Sequence, residues 1–183
     1  METTDSDKHW YVVLTRTNSE RKVRDYFQLQ EVDTFLPVQN RVIEREGKRI
    51  ERERLLLPRM VFVHISRQEM AAVRSTLNVY DFLRDRSTGA PTCIPDAQMA
   101  DFRYMLDYSQ DQVILTGESI PKGTRVVVAK GDLQGLRGEL VRYNNKYHIL
   151  VRIDMFGSAM VTIPASYVRK ENKSIYVRKY HYM

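Results

Sequence analysis

The feature that most constrains the fold is the segment Met60–Ile65, MVFVHI, in which nearly every residue is apolar. Because the side chains of a strand point alternately to its two faces, both faces of such a strand would be apolar. This pattern is typical of a central strand in a sheet that is covered on both sides. Residues 10–15, WYVVLT, predict a second strand, in which Trp10, Val12 and Leu14 share one face.

Helical spacing follows both predicted strands. Thr17 and Glu20 have the spacing of a capping box, and Ser66 and Glu69 repeat it. After each box, mostly apolar side chains recur at helical intervals, and they do so again over residues 96–108. The set after the first box is Val23, Tyr26, Phe27 and Gln30, and the set after the second is Met70, Val73 and Leu77. With short strands at 34–38 and 79–83, residues 9–108 are predicted to form an α+β domain, an antiparallel sheet with flanking helices.

A charged stretch at residues 41–58, RVIEREGKRIERERLLLP, lies inside this domain. Its centre, Glu46-Gly47-Lys48, predicts the turn of a hairpin. Between Arg41 and Arg54 the two arms carry six Lys or Arg residues and four Glu residues. We interpret the hairpin as a solvated ribbon with weak cross-strand ion pairs, in preference to a grip on nucleic acid.

The second half of the chain predicts a small all-β barrel over residues 123–170. Residues 109–122 lack a helical period and contain Gly117 and Pro121, so they are predicted to be a linker. After them, short strands are separated by turn signals at residues 131–132, 144–145, 156–157 and 164–165. Within GTRVVVAKGDLQGLRGEL, residues 123–140, we expect Gly131 to adopt a positive φ. We expect Gly135 and Gly138 to allow close approach of two backbones.

Composition and charge exclude several classes of function. The chain has 183 residues, a net charge of +6, and no apolar run near the length that a bilayer span needs. Cys93 is the single cysteine, and the four histidines show no ligand spacing, so we expect no metal and no cofactor. No motif of an enzyme occurs, and we expect a non-enzymatic, cytoplasmic monomer without membrane contact. Residues 1–8 are expected to be disordered, and residues 171–183 to form a basic tail.

The glycine-containing segment 123–140 resembles the KOW motif of NusG-type transcription factors. Residues 9–102 resemble the N-terminal domain of that family, called NGN. The matching segments, in order, are HWYVVLTRTNSERKV, FLPV, LLPRMVFVHI, VRSTLNVYDFLR and IPDAQMADF. Arg59-Met60 replaces a frequent Gly-Tyr of the family, and Asn78 replaces a usual glycine. With the extra tail, these departures resemble specialised paralogs, the RfaH-like and UpxY-like antiterminators of long surface (capsular) polysaccharide operons.

The resemblance implies a transcription elongation or antitermination factor that binds RNA polymerase through an apolar patch of the N-terminal domain. By position, the patch residues are Leu14, Met60, Phe62 and Phe82. The alternative is that these side chains belong to the core. For Met60 and Phe62 the alternation of the strand favours the patch, because its other face already supplies core residues. The competing function is a KOW-type RNA-binding protein of ribosome assembly.

The resemblance also implies contacts with nucleic acid and with a second protein. The candidates for the non-template DNA strand or nascent RNA are Arg16, Lys22, Tyr26 and Arg74. Cations can pair with phosphates and tyrosine can stack on a base, although such residues are often only solvated surface. In the barrel, Met155 and Phe156 stand at the position that contacts ribosomal protein S10 or the termination factor Rho. The alternative is that Phe156 folds back onto the barrel.

Overall fold

The computed structural model describes residues 7–45, 47–154 and 156–171, and these fold around two antiparallel sheets and a two-stranded ribbon. The elements of the first part are β1 (His9–Thr15), α1 (Glu20–Leu29), β2 (Asp33–Phe35), β3 (Val38–Arg45), β4 (Lys48–Leu55), β5 (Met60–Ile65), α2 (Met70–Arg74), β6 (Val79–Phe82) and α3 (Asp96–Tyr108). Four of the strands form the first sheet, in the order β2-β5-β1-β6. The predicted α+β domain is therefore observed, with β5 and β1 as its central strands.

Both faces of β5 are buried, as its sequence predicts. On one face Val61, Val63 and Ile65 pack with α1 and α2. On the other face Phe62 packs with Met99 and other residues of α3. The register sets Val12 opposite Phe62, so β1 contributes to the same two layers. Fully burying one large apolar side chain stabilises the fold by about 1.5–3 kcal/mol, so these layers fix the position of the sheet.

The beginnings of the first two helices differ from the prediction. Helix α1 begins at Glu20, with Ser19 as its N-cap and no capping hydrogen bond from a side chain. The Glu20 carboxylate instead accepts a hydrogen bond from the backbone amide of Arg59, at 2.7 Å. The predicted capping box of Thr17 and Glu20 is thus wrong, because tertiary structure offers Glu20 a better donor. Tyr26, placed on the apolar face of this helix by its spacing, is 47% exposed.

The second predicted box forms in part. The Glu69 carboxylate accepts hydrogen bonds from the amide and the hydroxyl of Ser66, both at 2.8 Å. The amide hydrogen bond is the main reason why the pKa of Glu69 lies below its ordinary value, with Lys8 adding to the effect. Helix α2 ends at Arg74, so Leu77 does not continue it and is 83% exposed.

The charged ribbon is formed by β3 and β4, which pair from Val38 with Leu55 to Arg45 with Lys48. Gly47 in its turn has a φ of 72°, as a tight hairpin requires. The arm of β4 is tied to α1 by an ion pair between Arg21 and Glu53, at 2.6 Å. Side chains 41–45 and 51 and residue 46 lie outside the described part, so the expected cross-strand ion pairs stay a prediction.

The second sheet has six strands in the order β12-β8-β9-β10-β11-β7. They are β7 (Ile114–Thr116), β8 (Thr124–Val128), β9 (Arg137–Tyr143), β10 (Lys146–Ile153), β11 (Gly157–Thr162) and β12 (Val168–Lys170). The expected linker at 109–122 is wrong in one respect, because it contains β7, which pairs with β11. Val113 and Ile120 of this stretch are also buried. Residues 1–6 and 172–183 lie outside the described residues, and the expectations for them stay predictions.

The loop between β8 and β9, together with the start of β9, accounts for the three glycines. Gly131 has a φ of 82°, as predicted, and Gly135 has a φ of 95°. A Cβ at Gly135 would meet no atom within 4 Å, so this glycine serves the backbone conformation and not a close approach. At Gly138 a Cβ would lie 2.6 Å from the carbonyl oxygen of Leu150, which confirms the predicted close approach. Asn144 and Asn145 both have positive φ and form the predicted turn between β9 and β10.

Candidate functional site

Phe62 lies at the centre of an aromatic cluster that joins the two sheets. Its ring centroid is 5.9 Å from that of Phe35, 6.2 Å from Phe102 of α3 and 5.6 Å from Phe156, which precedes β11. The side chain is 0% exposed. The expectation that Phe62 lies on a free patch is therefore wrong for this arrangement. The alternation along β5 predicted correctly that Phe62 lies on the face opposite Val61 and Val63. Helix α3 and the loop before β11 cover that face.

The four patch candidates do not share one surface. Leu14 is opposite Met60 in the register of β1 and β5, and both are partly buried on the same face as Phe62. Phe82 is opposite Val13 and packs edge-on against Tyr11, with ring centroids 6.1 Å apart. It is 1% exposed and belongs to the core between the sheet and helices α1 and α2. Phe82 is thus a core residue, and the apolar face retains Leu14, Met60 and Phe62.

Helix α3 is held to the second sheet by polar contacts as well as by aromatic rings. Gln98 and Asp154 bond reciprocally: the Gln98 amide donates to the Asp154 carboxylate at 3.1 Å, and the Asp154 amide donates to the Gln98 oxygen at 2.9 Å. The Tyr104 hydroxyl donates to the carbonyl of Gln134 at 2.8 Å. Sequence reasoning missed these residues because each partner lies in a distant part of the chain and no local pattern marks the pair.

Phe156 makes a contact that neither sequence hypothesis foresaw. It is only partly buried, and its ring packs on Phe62 of the first sheet. It is therefore neither a free anchor for a partner nor folded only against its own sheet. Met155, its neighbour, lies outside the described residues. The resemblance assigned Phe62 to a contact with RNA polymerase and Phe156 to a contact with S10 or Rho. In the structure these two side chains cover one another.

Three loops converge at one end of the first sheet, next to Arg16. The Thr15 amide donates to the carbonyl of Arg59 at 2.8 Å, and the Arg16 amide donates to the carbonyl of Asn78 at 2.9 Å. Asn18, Arg59 and Asn78 have φ values of 59°, 65° and 69°. Asparagine adopts this left-handed conformation readily, whereas it costs an arginine roughly 1–2 kcal/mol, so the loop of Arg59 has a constrained backbone. Such constrained positions cluster at functional sites.

Arg59 and Asn78 stand where the resembled family often has glycine, and their positive φ gives the physical reason for glycine there. Asn tolerates this conformation, whereas Arg does so at a cost. The exposed side chain of Arg59 adds a cation at the same end of the sheet as Arg16. Sequence reasoning did not include Arg59 among the candidate residues, although its replacement of a glycine was the available signal.

The nucleic-acid candidates differ in exposure and in charge pairing. Arg16 and Lys22 are exposed, and Tyr26 is half-exposed on α1. Arg74 is engaged by Asp81, at 3.4 Å. Asp81 also accepts a hydrogen bond from Arg84, which is the main reason why the pKa of Asp81 lies below its ordinary value. The carboxylate of Asp81 therefore already neutralises part of the charge of Arg74.

Comparison with protein families defines the class of the protein as a transcription factor. The sequence profile described as "Transcription termination factor nusG" matches residues 8–103, which is more than half of the chain. The chain therefore belongs to the NusG family. A comparison with curated proteins finds no match. In the described residues, no helix has the length and apolar content required to cross a bilayer.

Solved structures were also compared with this chain. One described as "Domain interaction in Thermotoga maritima NusG" has a TM-score of 0.49 and 20% sequence identity, and covers 91% of this chain and 98% of that chain. Conformation B of the MjSpt4:Spt5 complex has a TM-score of 0.31 and 15% identity, with 90% and 97% covered. Conformation A has a TM-score of 0.29 and 14% identity, with 90% and 99% covered.

Proposed function

We propose that this protein is an elongation and antitermination factor that binds RNA polymerase through the apolar face of the first sheet. The observation that carries the proposal is this face, formed by Leu14, Met60 and Phe62 within a domain that matches the family. Aromatic and methionine side chains on one sheet face can bury a partner helix and dominate the binding energy. No bond is made or broken: the factor favours the elongating conformation of polymerase by binding it better than the paused one.

The proposal requires that the second sheet move away from the first. Phe62 is fully buried beneath Phe102 and Phe156, so a partner helix cannot reach it in the arrangement described here. The polymerase would then compete with Phe156 for the same apolar face. Once released, Phe156 would become available for ribosomal protein S10 or Rho, the partners proposed for this loop. Polymerase binding and second-partner binding are then coupled, because each is favoured by the open arrangement.

The end of the sheet where the three loops converge is the proposed nucleic-acid contact. Arg16 and Arg59 supply cations for phosphates at this end, and the helix α1 adds the cation of Lys22 and the ring of Tyr26, on which an unpaired base can stack. The ligand would be the non-template DNA strand or nascent RNA. Arg59 and Asn78, which depart from the family pattern, both lie at this end. These departures motivate the proposal of a specialised UpxY-like or RfaH-like role, on long polysaccharide operons as the sequence resemblance implies.

Transcription of a template with defined pause sites tests the proposal directly. Adding the full chain is expected to shorten the pauses, and the chain is expected to co-purify with RNA polymerase. The double variant Arg16→Ala, Lys22→Ala should retain polymerase binding but lose part of its dependence on template sequence. Arg142→Ala, an exposed cation on the second sheet, is the control. Unchanged pausing together with retention of ribosomal RNA would refute the proposal and favour the ribosome-assembly alternative.

A further inference from the structure

A groove runs along the flank of α3 on the side of Trp10 and His64. It has a volume of about 630 Å³. Trp10, Tyr104 and Tyr108 supply aromatic surface, and three carboxylates, those of Asp33, Asp96 and Asp107, also line it. The rings of Tyr104 and Tyr108 lie 4.5 Å apart, and Tyr108 is exposed. Aromatic surface with an acidic border suits a basic, aromatic peptide.

The groove has an excess of negative charge although the whole chain is basic. Asp33 is paired with Arg103, whose guanidinium lies 3.6 Å away and also stacks over Trp10. Among the described residues, the ion-pair partner of Asp96 is the imidazole of His64, at 3.7 Å. Asp107 makes no ion pair with any described residue. Two of the three carboxylates are thus available to a cation from another segment.

The chain leaves the second sheet beside the same helix. Glu171, the last described residue, follows β12 and lines a cleft together with Ala97 and Gln98 of α3. Ala97 lines the acidic groove as well, so the cleft and the groove meet at the first turn of α3. The twelve residues that follow can extend about 40 Å at roughly 3.3 Å each. Helix α3 is only about 20 Å long, at 1.5 Å per residue.

The composition of those twelve residues complements the groove. Residues 172–183, NKSIYVRKYHYM, contain no acidic residue, three cations and three tyrosines. We propose that this basic tail docks in the acidic groove of α3, with its cations next to Asp96 and Asp107 and its tyrosines against the aromatic surface. The docked tail ties the end of the second sheet to α3, in addition to the contact between Gln98 and Asp154. This inference does not depend on the proposed function in transcription.

The single cysteine provides the test, because Cys93 is exposed and lies three residues before Asp96. A nitroxide attached to Cys93 of the full chain is expected to broaden the amide NMR signals of residues 175–183. The broadening should fall, most at the end of the tail, in Asp107→Lys and in a tail variant with Lys173→Glu, Arg178→Glu and Lys179→Glu. Combining the tail variant with Asp96→Lys and Asp107→Lys should restore part of it, because both free carboxylates of the groove are then cations facing an acidic tail. Asp132→Lys, an exposed acid outside the groove, is the matched control.

Tail signals that are unaffected by the nitroxide would overturn the proposal, as would broadening of residues 175–183 that is equal in Asp107→Lys and in the unchanged chain. A second sample tests whether the tail of another molecule occupies the groove. It mixes a chain that carries the nitroxide but no isotope label with an isotope-labelled chain that carries no nitroxide. Broadening of the tail in that mixture would assign the groove to a second copy of the chain and overturn docking within one molecule. Loss of a few exposed ion pairs should weaken docking about fivefold to tenfold, which is enough to reduce the broadening measurably.

Discussion

Truncation of Phe156 to alanine should release the apolar face of the first sheet while leaving both sheets folded. Fully burying a phenylalanine is worth about 1.5–3 kcal/mol, and Phe156 is only partly buried, so about 1–2 kcal/mol is lost here. The ring contact with Phe62 adds about 0.5–1.5 kcal/mol. The equilibrium between covered and open arrangements should therefore shift by about 1.5–3.5 kcal/mol, or roughly 10–400-fold toward the open one.

The assay is equilibrium binding of the full-length variant to RNA polymerase. If the covered arrangement dominates in the native chain, the affinity of Phe156→Ala should rise by up to that factor. Tyr147→Ala, which truncates a half-exposed aromatic ring on the same sheet, should leave the affinity unchanged. Equal or weaker binding by Phe156→Ala, with its fold intact by circular dichroism, would refute the argument that Phe156 covers the binding face. Phe62→Ala is a poorer test, because emptying a fully buried phenylalanine site costs about 3–5 kcal/mol.

Two further predictions concern the stability of the second sheet. Glu139 accepts two hydrogen bonds from Arg152, both at 2.8 Å, and these hold the pKa of Glu139 below its ordinary value of 4.5. Glu139→Gln should lower the free energy of unfolding at pH 7 by about 1–2 kcal/mol, and the difference from wild type should shrink as the pH falls below 4.5. Urea unfolding at several pH values measures this, and a difference independent of pH would contradict it. Gly138→Ala should lower the unfolding free energy by about 1–3 kcal/mol, because the added Cβ meets the carbonyl of Leu150. Thermal unfolding measures this, and a midpoint equal to that of wild type would show that the backbone shifts to accept the Cβ at no cost.

Local patterns in the sequence determined much of the secondary structure. Helix α3 was predicted at residues 96–108 and is observed there, since its apolar residues recur at helical intervals. The two apolar faces of β5 predicted a central strand with cover on both sides, and the sheet provides it. The turn at Asn144 and Asn145 was predicted because Asn accepts the left-handed conformation that a tight hairpin demands. These features depend on residues that are close in sequence.

Contacts between distant segments were decided only by the tertiary structure. Alternation placed Phe62 on the correct face, but it could not show that α3 and Phe156 would cover that face. The spacing of Thr17 and Glu20 predicted a local capping box, whereas folding brings the Arg59 amide to Glu20. Strand β7 escaped prediction because three residues gain their stability from pairing with β11. Periodicity reports which side of an element is apolar, while the free energy of docking decides which other surface covers it.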